Sequence, residues 1–229
     1  LLQREANAKY GYSAKKTLDL AQALYERHKV ISYPRTNSNY VNEQNIEGMH
    51  KALHMLKSTS YGQMAEGADP KRVHINNKAV CNPQRVEDHH AILPTLKRPG
   101  NLSKEEAHIY DLIIIRFLSH FYPPAMYKQH TVLTEVEGET FKTGIKELLS
   151  LGWKVLIEKD KEQKKSKGSS RKGKDEEEDE TQEWNDRSFD IAPDRPVFCR
   201  KSEVKEKATQ PPKSYTEGTL LKAMESAGK

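Results

Sequence analysis

The chain changes its hydrophobic period near Pro123 and Pro124, and this change limits the folds it can adopt. Before the two prolines, apolar residues recur every three or four positions, which is the spacing of an amphipathic helix. After them, β-branched residues cluster in short runs separated by turn residues, which favours strands. The sequence therefore predicts an α+β protein with a helical first half and a strand-rich second half.

Three helices are predicted in the first half. The first begins after Ser13, a favourable N-cap, and the third begins with Ser103 and Glu106 in the spacing of a capping box. Gly48 weakens the second helix, and Pro123 with Pro124 should end the third. Their apolar stripes are Ala14, Leu18, Ala21, Leu24 and Tyr25; Ile46, Met49, Leu53 and Leu56; and Ala107, Tyr110, Ile114 and Leu118.

The second half is predicted to open with a β-hairpin. Residues 131–136 and 140–145 are rich in strand-forming residues, and Glu137 with Gly138 supplies the turn. Residues 152–157 and 197–204 are two further short strand predictions. Thr216 should cap a last helix that carries Leu220, Ala223 and Met224 on one face.

Residues 159–188 interrupt the strand-rich half. They hold 9 Lys and Arg, 10 Asp and Glu and one apolar residue, Trp184. Such a segment cannot contribute to a core, and its separate basic and acidic blocks favour a solvated, disordered insertion. A DNA-binding tail is the alternative for the basic block, but the acidic block that follows it argues against that role.

Charge and cysteine content restrict the functional class. Residues 1–125 carry 17 Lys and Arg against 12 Asp and Glu, which indicates either a polyanionic partner or ordinary surface charge. Cys81 and Cys199 are the only two cysteines, so the sequence excludes a disulfide scaffold and a four-thiolate zinc site. Few cysteines, no signal peptide and no run of about 18 apolar residues favour the cytoplasm and exclude a transmembrane helix.

The segment Tyr33-Pro34-Arg35-Thr36-Asn37-Ser38 contains the first candidate site residues. A tyrosine hydroxyl can act as a covalent nucleophile, although it is weak at its ordinary pKa of about 10. The Arg35 guanidinium matches phosphate oxygens, and in an extended segment residues 33 and 35 project to the same face. Thr36 and Ser38 add hydroxyl donors. The alternative is a surface turn in which the Tyr33 ring packs on the core.

The second candidate segment is residues 87–95, which contain His89 and His90. A histidine can donate a hydrogen bond to a phosphate or transfer a proton near neutral pH. A metal site made by both imidazoles is disfavoured, because adjacent side chains point apart on a strand and about 100° apart on a helix. The alternative is that each histidine is a satisfied polar residue beside an apolar stretch.

Together these segments resemble the bacterial type IA DNA topoisomerases, and within them the topoisomerase III branch. Each motif alone is weak, but their order and spacing are specific. The motifs are LQREA at 2–6, SAKKT at 13–17 with LYE at 24–26, ISYPRT at 31–36, HHAILPT at 89–95 and PPKSYTEGTL at 211–220.

The resemblance implies a reaction and assigns roles to residues. Members of the family cut single-stranded DNA through a 5′-phosphotyrosine intermediate, pass another strand through the gap and reseal it without ATP. By this resemblance Tyr33 is the nucleophile, Arg35 holds the scissile phosphate, and His89 forms a hydrogen bond with that phosphate or with the nearby backbone. The expected DNA-binding residues are Arg35, Thr36, Ser38, His89 and His90. The family usually has Asp where this chain has Asn37, so a charge-dependent role at that position is in doubt.

The resemblance also implies a domain organisation. Residues 1–125 correspond to the helical domain with the tyrosine, 126–210 to part of the arch domain and 211–229 to the start of the base domain. The metal-binding toprim domain has no counterpart here, so Mg²⁺ is expected in the full-length enzyme and no cofactor in this piece. We therefore expect an excised, inactive part of a cytoplasmic, nucleoid-associated enzyme, with single-stranded DNA and the missing toprim and base domains as partners.

Two other functions are compatible with parts of the sequence. A non-catalytic module that binds single-stranded nucleic acid would use the basic first half. A relaxase-type nickase also uses a tyrosine, but its metal site needs two histidines that flank one apolar residue. Because His89 and His90 are adjacent, the sequence disfavours the nickase.

Overall fold

The structure is a computed structural model that describes residues 1–157 and 208–227, together with single positions 192, 196, 198, 201, 203, 204 and 206 between them. Its regular elements form an α+β arrangement, as the sequence predicts. The helices are α1 (Leu2–Tyr10), α2 (Ala14–Ala23), α3 (Asn45–Lys57), α4 (Gly62–Glu66), α5 (Lys104–Ser119) and α6 (Glu217–Ser226), and the strands are β1 (Met126–Val136) and β2 (Glu139–Ser150). Helix α2 continues into a π-helical turn, Leu24–His28, and three 3₁₀ turns cover Pro70–Arg72, Pro83–Arg85 and Gly152–Lys154.

The core is centred on α5, which packs against α1 and α2. Ile109, Ile114 and Leu118 of α5 are fully buried, as are Leu24 and Ile31 from the start of the chain. Burial of each such side chain contributes about 1.5–3 kcal/mol of transfer free energy. The core thus fixes α2 and the segment that follows it, where the candidate tyrosine lies.

The three predicted helices of the first half are confirmed, with two local differences. In α2 the side chain of Thr17 is buried instead of that of Leu18, and its hydroxyl is satisfied because it donates to the Ser13 carbonyl at 3.0 Å. Helix α5 ends at Ser119, before the two prolines. It ends early because Phe121 turns into the core, where its carbonyl accepts a hydrogen bond from the Asp69 N–H at 2.8 Å.

The predicted hairpin is confirmed and is longer than expected. Strands β1 and β2 pair antiparallel, and the register closes at Val136 opposite Glu139. Glu137 and Gly138 have φ angles of 50° and 80°. Positive φ at both central residues is the mark of a type I′ turn, whose twist matches that of the flanking strands.

The predicted strand at residues 152–157 is wrong, because the chain turns there. Gly152 begins a 3₁₀ turn with a φ angle of 50°, and the Trp153 N–H donates to the Pro123 carbonyl at 2.9 Å. A Cβ on Gly152 would lie 2.4 Å from the carbonyl oxygens of Pro123 and Pro124, so only glycine fits this approach. The turn inserts Leu156 into the core, where it is fully buried.

Two other predictions fall wholly or partly on residues that the structure does not describe. The charged insertion at 159–188 lies outside the described residues, as do four of the eight residues of the predicted strand at 197–204. The other four, at positions 198, 201, 203 and 204, are exposed and belong to no strand.

The predicted last helix is confirmed as α6. Thr216 caps it, and its side chain accepts a hydrogen bond from the Thr219 N–H at 3.2 Å. The helix docks on α1 through Gly218, whose N–H donates to the Asn7 side chain at 3.0 Å. Of the predicted apolar stripe, Leu220 and Met224 are exposed and Ala223 is half-buried.

A buried carboxylate joins the end of the π-helical turn to the start of α5. Glu106 completes the predicted capping box, in which the Ser103 N–H donates to its carboxylate at 2.8 Å. The guanidinium of Arg27 and the ring of His28 also reach Glu106 Oε1. Burial by itself raises the pKa of Glu106, but the hydrogen bonds from Ser103, His28 and Arg27 outweigh burial and lower the pKa to about 2.

We predict that Glu106→Gln changes the acid sensitivity of the fold. A carboxylate whose pKa falls on folding stabilises the protein above its unfolded pKa of about 4.5, and this stabilisation is lost as the pH falls towards 2. Between pH 4.5 and pH 2, the free energy of unfolding of the wild type should fall by about 2 kcal/mol more than that of the variant. This figure allows for the exposure of the Arg27 partner. Urea unfolding at several pH values measures the difference.

Glu105→Gln is the matched control. Glu105 is the neighbouring residue and pairs with Lys16 in a half-exposed ion pair. Such pairs contribute about 0–1 kcal/mol, so this variant should follow the wild type closely at every pH. Parallel pH curves for the wild type and Glu106→Gln would contradict the role of Glu106.

Candidate active site

Two segments that lie about 60 residues apart in the sequence meet through a short antiparallel bridge. Ile31 pairs with Pro94, the Ser32 N–H donates to the Leu93 carbonyl at 2.8 Å, and the Thr95 N–H donates to the Val30 carbonyl at 2.9 Å. Residues 30–36 are therefore non-helical, as predicted. Val30 and Ile31 are buried, so the bridge is anchored in the core.

Two hydroxyl groups reinforce this bridge. The Leu93 N–H donates to Ser32 Oγ at 2.8 Å, and Thr95 Oγ1 donates to the Lys29 carbonyl at 2.8 Å. Lys29 has a φ angle of 57°, in the left-handed region that commonly ends a helix. The chain thus leaves the π-helical turn and enters the bridge without a loop, which places the candidate tyrosine directly after an anchored segment.

Tyr33 is half-buried and held between two aromatic rings. The Tyr25 ring meets it edge to face with 5.5 Å between ring centroids, and the His89 ring lies at 4.5 Å with a tilt of 48°. Among the described residues nothing forms a hydrogen bond with the Tyr33 hydroxyl. The two flanking rings therefore position the Tyr33 ring, while its hydroxyl stays available for chemistry.

Arg35 lies on an open cleft that it shares with His89, the residue whose ring contacts Tyr33. The cleft has a volume of about 370 Å³ and is lined by Arg35, Thr36, Asn37, Glu87, Asp88 and His89. Arg35 is exposed and, within residues 1–157 and 208–227, makes no ion pair or side-chain hydrogen bond. A guanidinium with donors that the described residues leave unused suits the binding of a phosphate.

The other predicted DNA-binding side chains are engaged within the protein. Thr36 Oγ1 donates to the His89 carbonyl at 2.9 Å, and Ser38 Oγ donates to the Arg85 carbonyl at 2.9 Å. His90 Nδ1 lies 2.7 Å from its neighbour's carbonyl, which can only accept, so this nitrogen carries the proton. Of the predicted residues, the structure brings Tyr33, Arg35 and His89 together with side chains available to a ligand.

The structure also shows site residues that sequence reasoning did not assign. Asn37 Nδ2 donates to the Glu87 carboxylate at 3.0 Å, so the two segments also meet at the rim of the cleft. The sequence places Tyr25 in a helical stripe and in the LYE motif without giving it a role at the site, yet its ring packs against Tyr33. A single sequence gives no signal for either pairing. The bond between Asn37 and Glu87 joins distant segments, and the contact between Tyr25 and Tyr33 forms across a turn.

The carboxylates of the cleft do not form a metal centre. No group of three His, Cys, Asp or Glu residues in the described part of the chain could hold a metal ion. Mg²⁺ prefers several oxygen ligands in near-octahedral geometry, and Glu87 and Asp88 alone do not fit it. Within the same residues, no helix is long and apolar enough to cross a membrane.

Comparison with known proteins decides the family. The family model described as DNA topoisomerase matches residues 1–228. The chain belongs to the DNA topoisomerase family. This result confirms the family predicted from the sequence motifs.

Curated relatives agree along almost the whole chain. DNA topoisomerase 3 of Bacillus licheniformis is 34% identical over 229 residues, which cover 98% of this chain and 29% of the relative. The topoisomerase 3 proteins of Haemophilus influenzae and Vibrio cholerae are each 33% identical, covering 97% of this chain and 31% and 32% of the relatives. The chain thus spans about a third of the length of these topoisomerases.

We predict that Ser32→Ala weakens the bridge that carries the candidate active site. The substitution removes the acceptor of the Leu93 N–H, which is half-buried, and an unpaired buried donor costs about 1–3 kcal/mol. Ser119→Ala is the control, because its hydroxyl only donates to a carbonyl of its own helix at an exposed position. Urea unfolding should show a lower free energy of unfolding for Ser32→Ala and a change of less than about 0.5 kcal/mol for Ser119→Ala. Equal stabilities would contradict the role of the Ser32 hydroxyl.

Proposed function

We propose that this chain is the part of a type IA topoisomerase that carries the nucleophilic tyrosine, and that the whole enzyme cleaves and reseals single-stranded DNA. The observation that carries this proposal is the arrangement of Tyr33, His89 and Arg35. Among the described residues the tyrosine hydroxyl makes no hydrogen bond and Arg35 has no ion-pair partner. The Tyr33 ring contacts His89, and His89 and Arg35 line one cleft. These are a nucleophile, a hydrogen-bond donor and a phosphate-binding cation side by side.

The proposed reaction exchanges one phosphoester bond for another. The Tyr33 oxygen attacks the scissile phosphorus, a phosphotyrosine bond forms to the 5′ side, and the bond to the 3′ oxygen breaks. The tyrosine loses its proton, and the departing 3′ oxygen gains one. Resealing is the reverse step, in which the 3′ hydroxyl attacks the phosphotyrosine. Because the bond energy is retained, the cycle needs no ATP.

The side chains around Tyr33 have separate roles in this proposal. Arg35 binds the non-bridging oxygens, where negative charge grows in the transition state. His89 donates a hydrogen bond to the phosphate or to the adjacent backbone of the DNA. Tyr25 and His89 restrict the Tyr33 ring, so little rotamer entropy is lost when the hydroxyl meets the phosphorus.

Other domains would complete the site. We propose that the Mg²⁺ ligands and a catalytic lysine lie on a toprim domain outside these residues, which agrees with the poor fit of Glu87 and Asp88 to this ion. The proposed domain boundaries of 1–125, 126–210 and 211–229 are supported by the start of the hairpin at Met126 and the start of α6 at Glu217. Single-stranded DNA is the proposed partner, and the proposed location is the nucleoid.

Tyr33→Phe tests the reaction class. The full-length protein that contains this chain is incubated with single-stranded DNA and Mg²⁺, denatured with detergent, digested and mapped. We expect a 5′-nucleotide adduct on Tyr33 in the wild type and none in the variant, because phenylalanine has no nucleophilic oxygen. Tyr25→Phe is the control, since it keeps the aromatic contact with Tyr33, and it should still form the adduct.

The same experiment distinguishes the alternative function. A non-catalytic module would bind single-stranded DNA with a strong salt dependence and form no adduct in either protein. An adduct that persists in Tyr33→Phe would assign the nucleophile to another residue.

We predict that the 229-residue chain alone does not relax supercoiled DNA. The proposal places the metal ligands and the lysine elsewhere, so this chain supplies about half of the catalytic groups. Agarose gels with negatively supercoiled plasmid measure the activity at protein concentrations where the full-length enzyme acts. Relaxation by the purified chain would contradict the proposed division of the site.

A further inference from the structure

We propose that Thr36 is a positioning residue, whose hydroxyl fixes the backbone of His89 and so holds the His89 ring against the Tyr33 nucleophile. This inference rests on the proposed function, because it gives Thr36 a role in that reaction. It replaces direct DNA contact, the role that the sequence predicts for this threonine, with a role inside the protein.

The hydroxyl of Thr36 is fully engaged in the structure. It donates to the His89 carbonyl at 2.9 Å and accepts from the Ser38 N–H at 3.0 Å. A hydroxyl has one proton to donate, so Thr36 cannot keep the bond to His89 and also donate to a phosphate. Contact with DNA through this donor would require the bond to break.

The position of this bond explains why it matters. The antiparallel bridge pairs residues 30–32 with 93–95 and does not extend to His89. On the other side of His89, the Ala91 N–H donates to the Tyr40 carbonyl at 2.8 Å. Of these contacts, the bond from Thr36 is therefore the one that ends on His89 itself.

These contacts connect Tyr33, Thr36 and His89 in a closed ring. Tyr33 leads through three peptide units to Thr36, the Thr36 hydroxyl binds His89, and the His89 ring returns to the Tyr33 ring at a centroid distance of 4.5 Å. The Thr36 bond fixes the backbone of His89 relative to the tyrosine segment, so only the side-chain torsions of His89 and Tyr33 are left to set the ring contact. Reacting groups need this precision, since a misplacement of about 1 Å can reduce the rate about 100-fold.

The second connection at the cleft ends on a different residue. Asn37 donates to the carboxylate of Glu87, two positions before His89, at a site where water competes for both groups. The Thr36 bond is also exposed, but it ends on the backbone of His89 itself. We therefore assign the positioning role to Thr36.

The test compares Thr36→Val, Thr36→Ser and Thr36→Cys in the full-length protein. Valine keeps the shape and removes the hydroxyl, serine keeps the hydroxyl, and cysteine offers a weaker donor. We expect the rate of adduct formation to fall about 10- to 100-fold in the valine variant. The serine variant should stay within about threefold of the wild type, and the cysteine variant should lie between them. The KM for the oligonucleotide should change little in all three.

Thr59→Val is the matched control. Thr59 is also half-buried, and its hydroxyl likewise donates to a carbonyl, that of Leu56 at 2.7 Å, and accepts from the N–H two residues later, at 3.2 Å. It lies beside α3 and α4, away from the cleft. The Thr59→Val variant should therefore lose stability as Thr36→Val does, but it should keep the wild-type cleavage rate.

Nuclear Overhauser contacts between the Tyr33 and His89 rings give a readout that does not depend on activity. They should be present in the wild type and the serine variant and absent in the valine variant. If valine prevents folding, the cysteine variant makes the same comparison. A valine or cysteine variant with wild-type cleavage rate and ring contacts would overturn the proposal. If the wild type forms no adduct but the ring contacts depend on the Thr36 hydroxyl, the proposed function fails and the positioning geometry stands.

Discussion

The bridge between residues 30–32 and 93–95 is the interaction on which the candidate active site depends. It consists of one residue pair and a few hydrogen bonds, but its buried members, Val30 and Ile31, tie it to the helical core. Everything on the cleft lies within about six residues of this bridge. Tyr33 and Arg35 follow one of its segments, and Glu87, Asp88 and His89 precede the other.

The helical core and the cleft are therefore linked by a short and rigid path. Glu106 anchors Arg27 and His28 at the end of the π-helical turn, Lys29 reverses the chain with a positive φ, and the bridge begins at Val30. Tyr33 comes only three residues later. A nucleophile positioned by buried elements loses less freedom on binding than one on a long loop.

Hydroxyl-bearing residues around the cleft serve the protein more than the ligand. Each of the four hydroxyls forms a hydrogen bond with a backbone group far away in the sequence, and they belong to Ser32, Thr36, Ser38 and Thr95. The side chains that remain available to a ligand are a guanidinium, an imidazole and a phenol. The cleft thus separates side chains that hold its geometry from side chains that can contact a ligand.

Local interactions allowed the sequence by itself to determine much of this protein. Ser13, Ser103 and Thr216 cap helices through neighbours three residues away, and Glu137 with Gly138 sets the hairpin turn, so each signal lies inside the element it specifies. The order of the motifs was sufficient to predict the family and to select Tyr33, Arg35 and His89. Only the tertiary structure decided the rest. Residues 152–157 turn instead of extending because Gly152 meets the carbonyls of Pro123 and Pro124, and the hydroxyl of Thr36 turns to His89 across 53 positions. Such contacts join segments that are distant in the chain, and a single sequence gives no signal for the distance between them.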